Sequence, residues 1–217
     1  MKHLYVEKLI VSIKTFIYTS IFPTFTNFVV LLYCLVCLRS RELIEQLAQK
    51  IAHLSIEKFV LSKRIEIMKQ KSRIDDILDS IQDIFSFPSF LMVAANLLNC
   101  FSVLNVYLDR KSWASGGIST FIECSLYCID SLVCLVSLLW IAGDVPVEDR
   151  KFKKNFQKKL NLRSHAVGSF EKCECEKLLL LKKDFVFTGW DILSYRRSSI
   201  FAVFGALMTY SVLVSEE

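Results

Sequence analysis

The chain has 217 residues, 53% of them hydrophobic, with a mean hydropathy of +0.41 and a formal net charge of +5. Soluble domains carry about 45–50% apolar residues even when glycine is counted, so composition argues against an ordinary water-soluble globule. Charged residues still make up 23%, so the apolar excess must be gathered into blocks.

Four blocks follow in chain order. Residues 15–38 hold 24 positions without Asp, Glu, Lys or Arg, and residues 84–108 hold 25. Residues 118–141 carry only Glu123 and Asp130, and residues 198–215 carry no charge. About 20 apolar residues cross a bilayer as a helix, which satisfies its own backbone where lipid cannot. The expected fold is therefore all-α, a single membrane domain over residues 1–217 with four transmembrane helices. The first block is too long for the apolar core of a signal peptide, and no small-x-small cleavage site follows it.

Orientation follows from the basic residues. Lys plus Arg number 3 before the first block, 9 in residues 39–80, 2 between the second and third blocks, 13 in residues 142–197 and none after the last. Two of these segments hold 22 of the 27, and four consecutive spans put both on one side. The positive-inside rule makes that side the cytoplasm, with both ends of the chain and the 109–117 turn outside. Tyr107, Trp113, Trp140 and Trp190 fall near the expected span ends, where amphipathic rings are enriched.

The cytoplasmic segments, 39–83 and 142–197, have helical periodicity. Leu43, Leu47, Ile51, Leu54, Leu61, Ile65 and Met68 recur at steps of three, four and seven, and residues 39–87 contain no Pro or Gly. This predicts a helix with one apolar stripe, and the second span continues the same helix or a close successor below the membrane. The second segment opens at Pro146 and holds seven basic residues between Arg150 and Arg163, with Phe152, Phe156 and Leu160 spaced by four. Its position beneath a span favours lipid headgroups or solvent over nucleic acid as its surroundings. The tract LLLLKKDFVFTGWDILSYRRSS reads as a helix, a break at Gly189, then a short link into the last span.

Catalytic motifs are missing from the sequence. The six glycines never take phosphate-cradling spacings, the three His lack ligand neighbours, and Cys173 and Cys175 have no second pair. The expectation is no enzyme, cofactor or metal. The other six cysteines fall within the apolar blocks, where a free thiol acts as a small hydrophobe. Glu123 and Asp130 are seven apart and share a helix face, with Tyr127 near it. Carboxylates at membrane depth are costly, which suggests a polar ligand cavity lined by Glu123, Tyr127 and Asp130. The alternative leaves Glu123 near the outer surface and Asp130 paired or neutral.

The last block reads SSIFAVFGALMTYSVLVSEE, with FVFTGWDILSYRRSSIF leading into it. This resembles the carboxyl end of the insect-type (arthropod) gustatory receptor family, whose last helix carries Thr-Tyr, five mostly apolar residues, then Gln-Phe. Thr209 and Tyr210 match, residues 211–215 fill the five positions, and Glu216 and Glu217 stand where the family has Gln and Phe. The tract IDDILDSIQDIFSFPSFLMVAANLL from Ile74 is similar to the start of the family's fifth helix. The family has seven helices, and its last four would have the orientation that the charges predict here. The resemblance implies a ligand-gated, non-selective cation channel in the plasma membrane, a homo- or hetero-tetramer that answers a small-molecule tastant or odorant. It implies a pore lined by the last helix, at Thr209, Tyr210, Leu213 and Glu216, with Leu213 as the apolar constriction and Glu216 at the outer mouth. The rival expectation is a noncatalytic four-span scaffold or accessory subunit, or a non-functional truncated receptor.

Overall fold

Four helices, α1 (Phe22–His53), α2 (Leu61–Leu108), α3 (Ile118–Val167) and α4 (Arg197–Ser215), make up nearly all of the described chain. The computed structural model describes residues 22–108, 118–167, 182 and 184–215, together with Val6, Ile10, Ile13 and Lys14. Residues 15–21 of the first expected span, the 109–117 turn with Trp113, the pair Cys173 and Cys175, and Glu216 lie outside the described residues. The all-α expectation stands, with one addition: a two-stranded antiparallel ribbon of β1 (Thr188–Gly189) and β2 (Leu193–Ser194).

Among the described residues three helices are long and apolar enough to cross a membrane: Leu61–Leu108, Phe121–His165 and Arg197–Val214. At 1.5 Å per residue the 48 residues of α2 and the 50 of α3 extend about 70–75 Å, more than twice the hydrocarbon thickness. Both helices therefore combine an apolar half with a charged half, and α3 continues through Pro146 without a break. Cross-helix pairs fix the packing. Tyr33 meets Phe85 and Lys50 meets Glu66, so α1 and α2 run antiparallel; Asn27 meets Asp130 and Lys159 meets Ala52, so α1 and α3 run parallel. The start of α4 lies on α3 and its far end on α2 at Asn105.

Of the two expectations for residues 39–87, one helix or a close successor, the structure has the successor: two helices joined by a turn at residues 54–60. No Pro or Gly marks that turn; it is held from outside. Lys159 Nζ donates to the carbonyl of Ala52 at 3.1 Å, and Arg163 Nη1 donates to those of Ile56 and Glu57 at 2.8 and 3.2 Å. Cations on the end carbonyls of α1 also complement its dipole. Phe59 is fully buried against Phe156, ring centroids 5.6 Å apart. The turn resets the helical phase. Leu47 and Ile51 are buried as expected, but Leu61 and Ile65 are exposed, and the buried stripe of α2 runs through Ile67, Lys71, Ile74, Leu78 and Ile81.

The tract before the last span departs from the helix-and-break expectation. Among its described residues, 184–187 are irregular, and Gly189 pairs with Leu193 across a turn in which Trp190 and Asp191 have positive φ of 48° and 55°. A left-handed Trp is uncommon, and tertiary contacts hold it. Its N–H donates to Ser86 Oγ at 2.9 Å, and its ring packs edge-on against Phe87. The Gln82 side-chain amide pairs with Thr188 as a neighbouring strand would, donating to its carbonyl at 2.9 Å and accepting from its N–H at 3.0 Å. Gly189 is required here, because a Cβ would collide with the Tyr195 hydroxyl. Phe187 and Tyr195 are fully buried and close the bundle from below against Tyr33.

Candidate functional site

Asp130 does not stand alone. Asn27 of α1 sends Nδ2 to both carboxylate oxygens at 3.2 Å, while its Oδ1 accepts from Cys134 Sγ at 3.2 Å. One amide thus bridges a carboxylate and a thiol that lie one helical turn apart on α3. Such partnering is what makes a polar group tolerable at membrane depth. Glu123 and Tyr127 lie further along the same helix and are exposed. The structure brings Asp130 together with Asn27 and Cys134. Asn27 carried no signal in the sequence, since its partner lies 103 positions away.

On α4, Thr209 and Leu213 occupy the exposed face, with Leu213 at 60% exposure. Thr209 Oγ1 donates back to the Gly205 carbonyl at 2.9 Å, which satisfies the hydroxyl without a second helix. A Cβ at Gly205 would meet nothing within 4 Å. Tyr210 points elsewhere: its hydroxyl donates to Asn105 Oδ1 at 2.7 Å, and its ring lies 4.6 Å from that of Phe101. Tyr210 therefore fastens α4 to α2. The exposed face is continuous, with Phe201, Phe204, Met208 and Val212 at helical spacing, while Leu207 is the buried position among the described residues of α4.

The base of α4 is fixed by charge. Asp144 of α3, nearly buried, takes both Nε and Nη2 of Arg197 and lies 3.4 Å from Nη1 of Arg41 on α1. The guanidinium of Arg197 also stacks 4.8 Å above the Trp140 ring. Gly143 allows this approach, because a Cβ there would sit 2.8 Å from the backbone nitrogen of Arg197.

A second charged network joins α2, α3 and the stretch before the ribbon. Lys71, with its side chain 2% exposed, contacts Asp75 and lies 2.8 Å from Asp149. Asp149 also meets Lys153, which reaches Asp184 at 3.1 Å, and Lys182 returns to Asp75 at 3.1 Å. Burial would raise the Asp184 carboxyl, but hydrogen bonds from Lys153 and Arg150 outweigh it and hold the group below the usual carboxylate range. The basic run expected to face headgroups or solvent has exposed side chains at Arg150, Lys151, Lys154 and Lys158, and several of its cations also reach protein partners. Arg150, Lys151, Lys153, Lys159 and Arg163 have protein partners, and Lys154 and Lys158 are exposed. Among the described residues no group of His, Cys, Asp and Glu could hold a metal ion. No family model matches the chain, and no curated protein matches it.

Proposed function

We propose that the chain is a gustatory-receptor-like subunit of a ligand-gated, non-selective cation channel, with four helices in the plasma membrane and the last one beside the pore. The observation that carries this reading is the open face of α4. Its start is held by Asp144 and its far end by Asn105, while Phe201, Gly205, Met208, Thr209 and Leu213 are left uncovered. A helix anchored along one side and free along the other is suited to meeting its own copies around an axis. Small and hydroxylated positions on the free side suit close packing or a wet lumen. The Thr209–Tyr210 pair supports the same reading through its likeness to gustatory receptors, and here the two residues divide the work, Tyr210 anchoring and Thr209 facing outward. A tetramer would bring four copies of Leu213 together as an apolar gate and four of Glu216 as a cation-attracting ring. A small-molecule tastant or odorant would act from the outer side, where the Asn27–Asp130 pair is one polar element of the bundle.

The test is cation flux through liposomes holding the purified chain. Leu213→Ala is expected to raise basal flux and Glu216→Lys to lower cation permeability, while the far-side substitution Leu91→Ala changes neither. Identical flux in all four proteins would overturn the pore assignment and leave the noncatalytic accessory subunit as the reading.

A further inference from the structure

At the charged end of the bundle a cavity of about 380 Å³ opens between α3, the stretch before the ribbon and the first turn of α4. Three guanidinium groups line it, Arg150, Arg196 and Arg197, against one carboxylate, Asp184. The formal excess is two positive charges. Counting the groups just behind the wall, Asp144 on Arg197 and Lys153 on Asp184, leaves that excess unchanged.

The donors in this cavity are only partly engaged. Arg197 directs Nε and Nη2 to Asp144, Arg150 directs Nε to Asp184, and Arg196 has no acidic partner among the described residues. Each guanidinium carries five N–H groups in a rigid fork, so several remain for a ligand. Ser198 adds a hydroxyl to the lining. The 19-residue α4 begins here with no acidic residue in its first turn, so its positive dipole end adds to the arginines. A cavity of this size with convergent cations suits a compact polyanion with oxygens on several sides, which arginines bind bidentately.

We propose that this cavity binds a phosphate ester, carried by the headgroup of an anionic inositol lipid. The lipid source follows from depth, and this step rests on the membrane spans of the preceding section. Trp140 lies one turn before Gly143, half exposed beneath Arg197, at the level where a Trp marks the edge of the hydrocarbon. Gly143, Pro146 and Arg150 then descend about 5 to 15 Å below it at 1.5 Å per residue, through and just past the headgroup layer. A bound phosphate would bridge Arg150 of α3 to Arg196 and Arg197 of α4, and so would stiffen the joint on which the last helix stands.

The experiment is a thermal-shift titration of the purified full chain in detergent with a short-chain phosphatidylinositol bisphosphate. Saturable stabilisation is expected, with the apparent affinity about tenfold weaker in Arg196→Gln, the loss that follows removal of one charge-assisted donor. Arg196→Lys should recover part of it, and Lys154→Gln, which removes an exposed cation of α3, should bind as wild type does. Arg196 has no acidic partner among the described residues, so its variants keep the unliganded unfolding temperature and the readout remains interpretable. Soluble inositol trisphosphate and a short-chain phosphatidylserine are the two comparison arms. Weaker stabilisation by both supports the lipid phosphate, and equal stabilisation by inositol trisphosphate reassigns the site to a soluble phosphate ester. Equal effects of phosphatidylserine, or equal losses in Lys154→Gln and Arg196→Gln, overturn the proposal as diffuse charge attraction. The readout needs no conductance, so failure of the channel reading and failure of this one are separable.

Discussion

Lys71→Met isolates the cost of breaking the charged centre of the bundle. Met has similar length and no charge, so the substitution leaves little cavity and removes the cation that Asp75 and Asp149 share. Removing one partner of a buried pair costs about 3–5 kcal/mol because the other charge stays buried. Here Asp75 keeps Lys182 and Asp149 keeps Lys153, which puts the expectation near the lower end, about 3 kcal/mol. For a chain of this size that is a fall in unfolding temperature of about 6–12 °C. The assay is thermal unfolding in detergent followed with a thiol-reactive dye, since Cys34, Cys37, Cys100 and Cys134 are buried and free. Lys71→Met/Asp149→Leu should unfold at a higher temperature than Lys71→Met alone, because a buried carboxylate left with one of its two cations is gone and Lys153 retains Asp184. A single variant that unfolds within about 1 °C of wild type would refute the claim that this network is energetically buried.

Gly143→Val should lower stability by about 1–3 kcal/mol, or detach α4, because the new side chain meets the backbone of Arg197 and not a flexible tip. Loss of a crosslink between cysteines placed at Asn105 and Tyr210 would report the detachment, and unchanged crosslinking with unchanged stability would contradict it. Asn27→Leu removes the amide that donates to both oxygens of the Asp130 carboxylate and should cost about 1 kcal/mol, while Asn27→Leu/Asp130→Leu should cost less; unfolding temperatures of the two variants decide this. Asp184 supplies a pH dependence. Its carboxyl is held below the unfolded value of about 3.9, so its contribution is complete above that range and disappears as pH falls through the lower folded value. Hydrogen exchange in residues 184–187, corrected for intrinsic rate, should be flat from about pH 5 to 8 and rise below about pH 4, and Asp184→Asn should abolish the rise.

The parts legible in the sequence were those set by composition and by period. The apolar blocks gave the helices, and Phe152, Phe156 and Leu160, spaced by four, are all buried. Features made by contacts between distant segments left no local trace. The turn at 54–60 depends on Lys159 and Arg163 a hundred residues later, so a pattern read through it carried the wrong phase into α2. Lys71 occupies a core position only because two carboxylates converge on it, one of them from another helix. The ribbon is short, and its pairing is completed by the side chain of Gln82, which a search for alternating strands does not detect. On the candidate site, Asp130 was legible as an intramembrane carboxylate, whereas its dependence on Asn27 was not.

The unbroken course of α3 has a mechanical meaning. From Asp130 to Lys153 the helix spans 23 residues, a lever arm of about 35 Å. A tilt of about 5° about the Asn27 contact would swing the Lys153 end by about 3 Å, enough to part its bridges to Asp184. Because Asp144 sits along the same arm and holds Arg197, that swing would also carry the foot of α4 with it. A small displacement at the polar pair inside the bundle would thus reach the last helix as a movement of its base, without any helix having to bend.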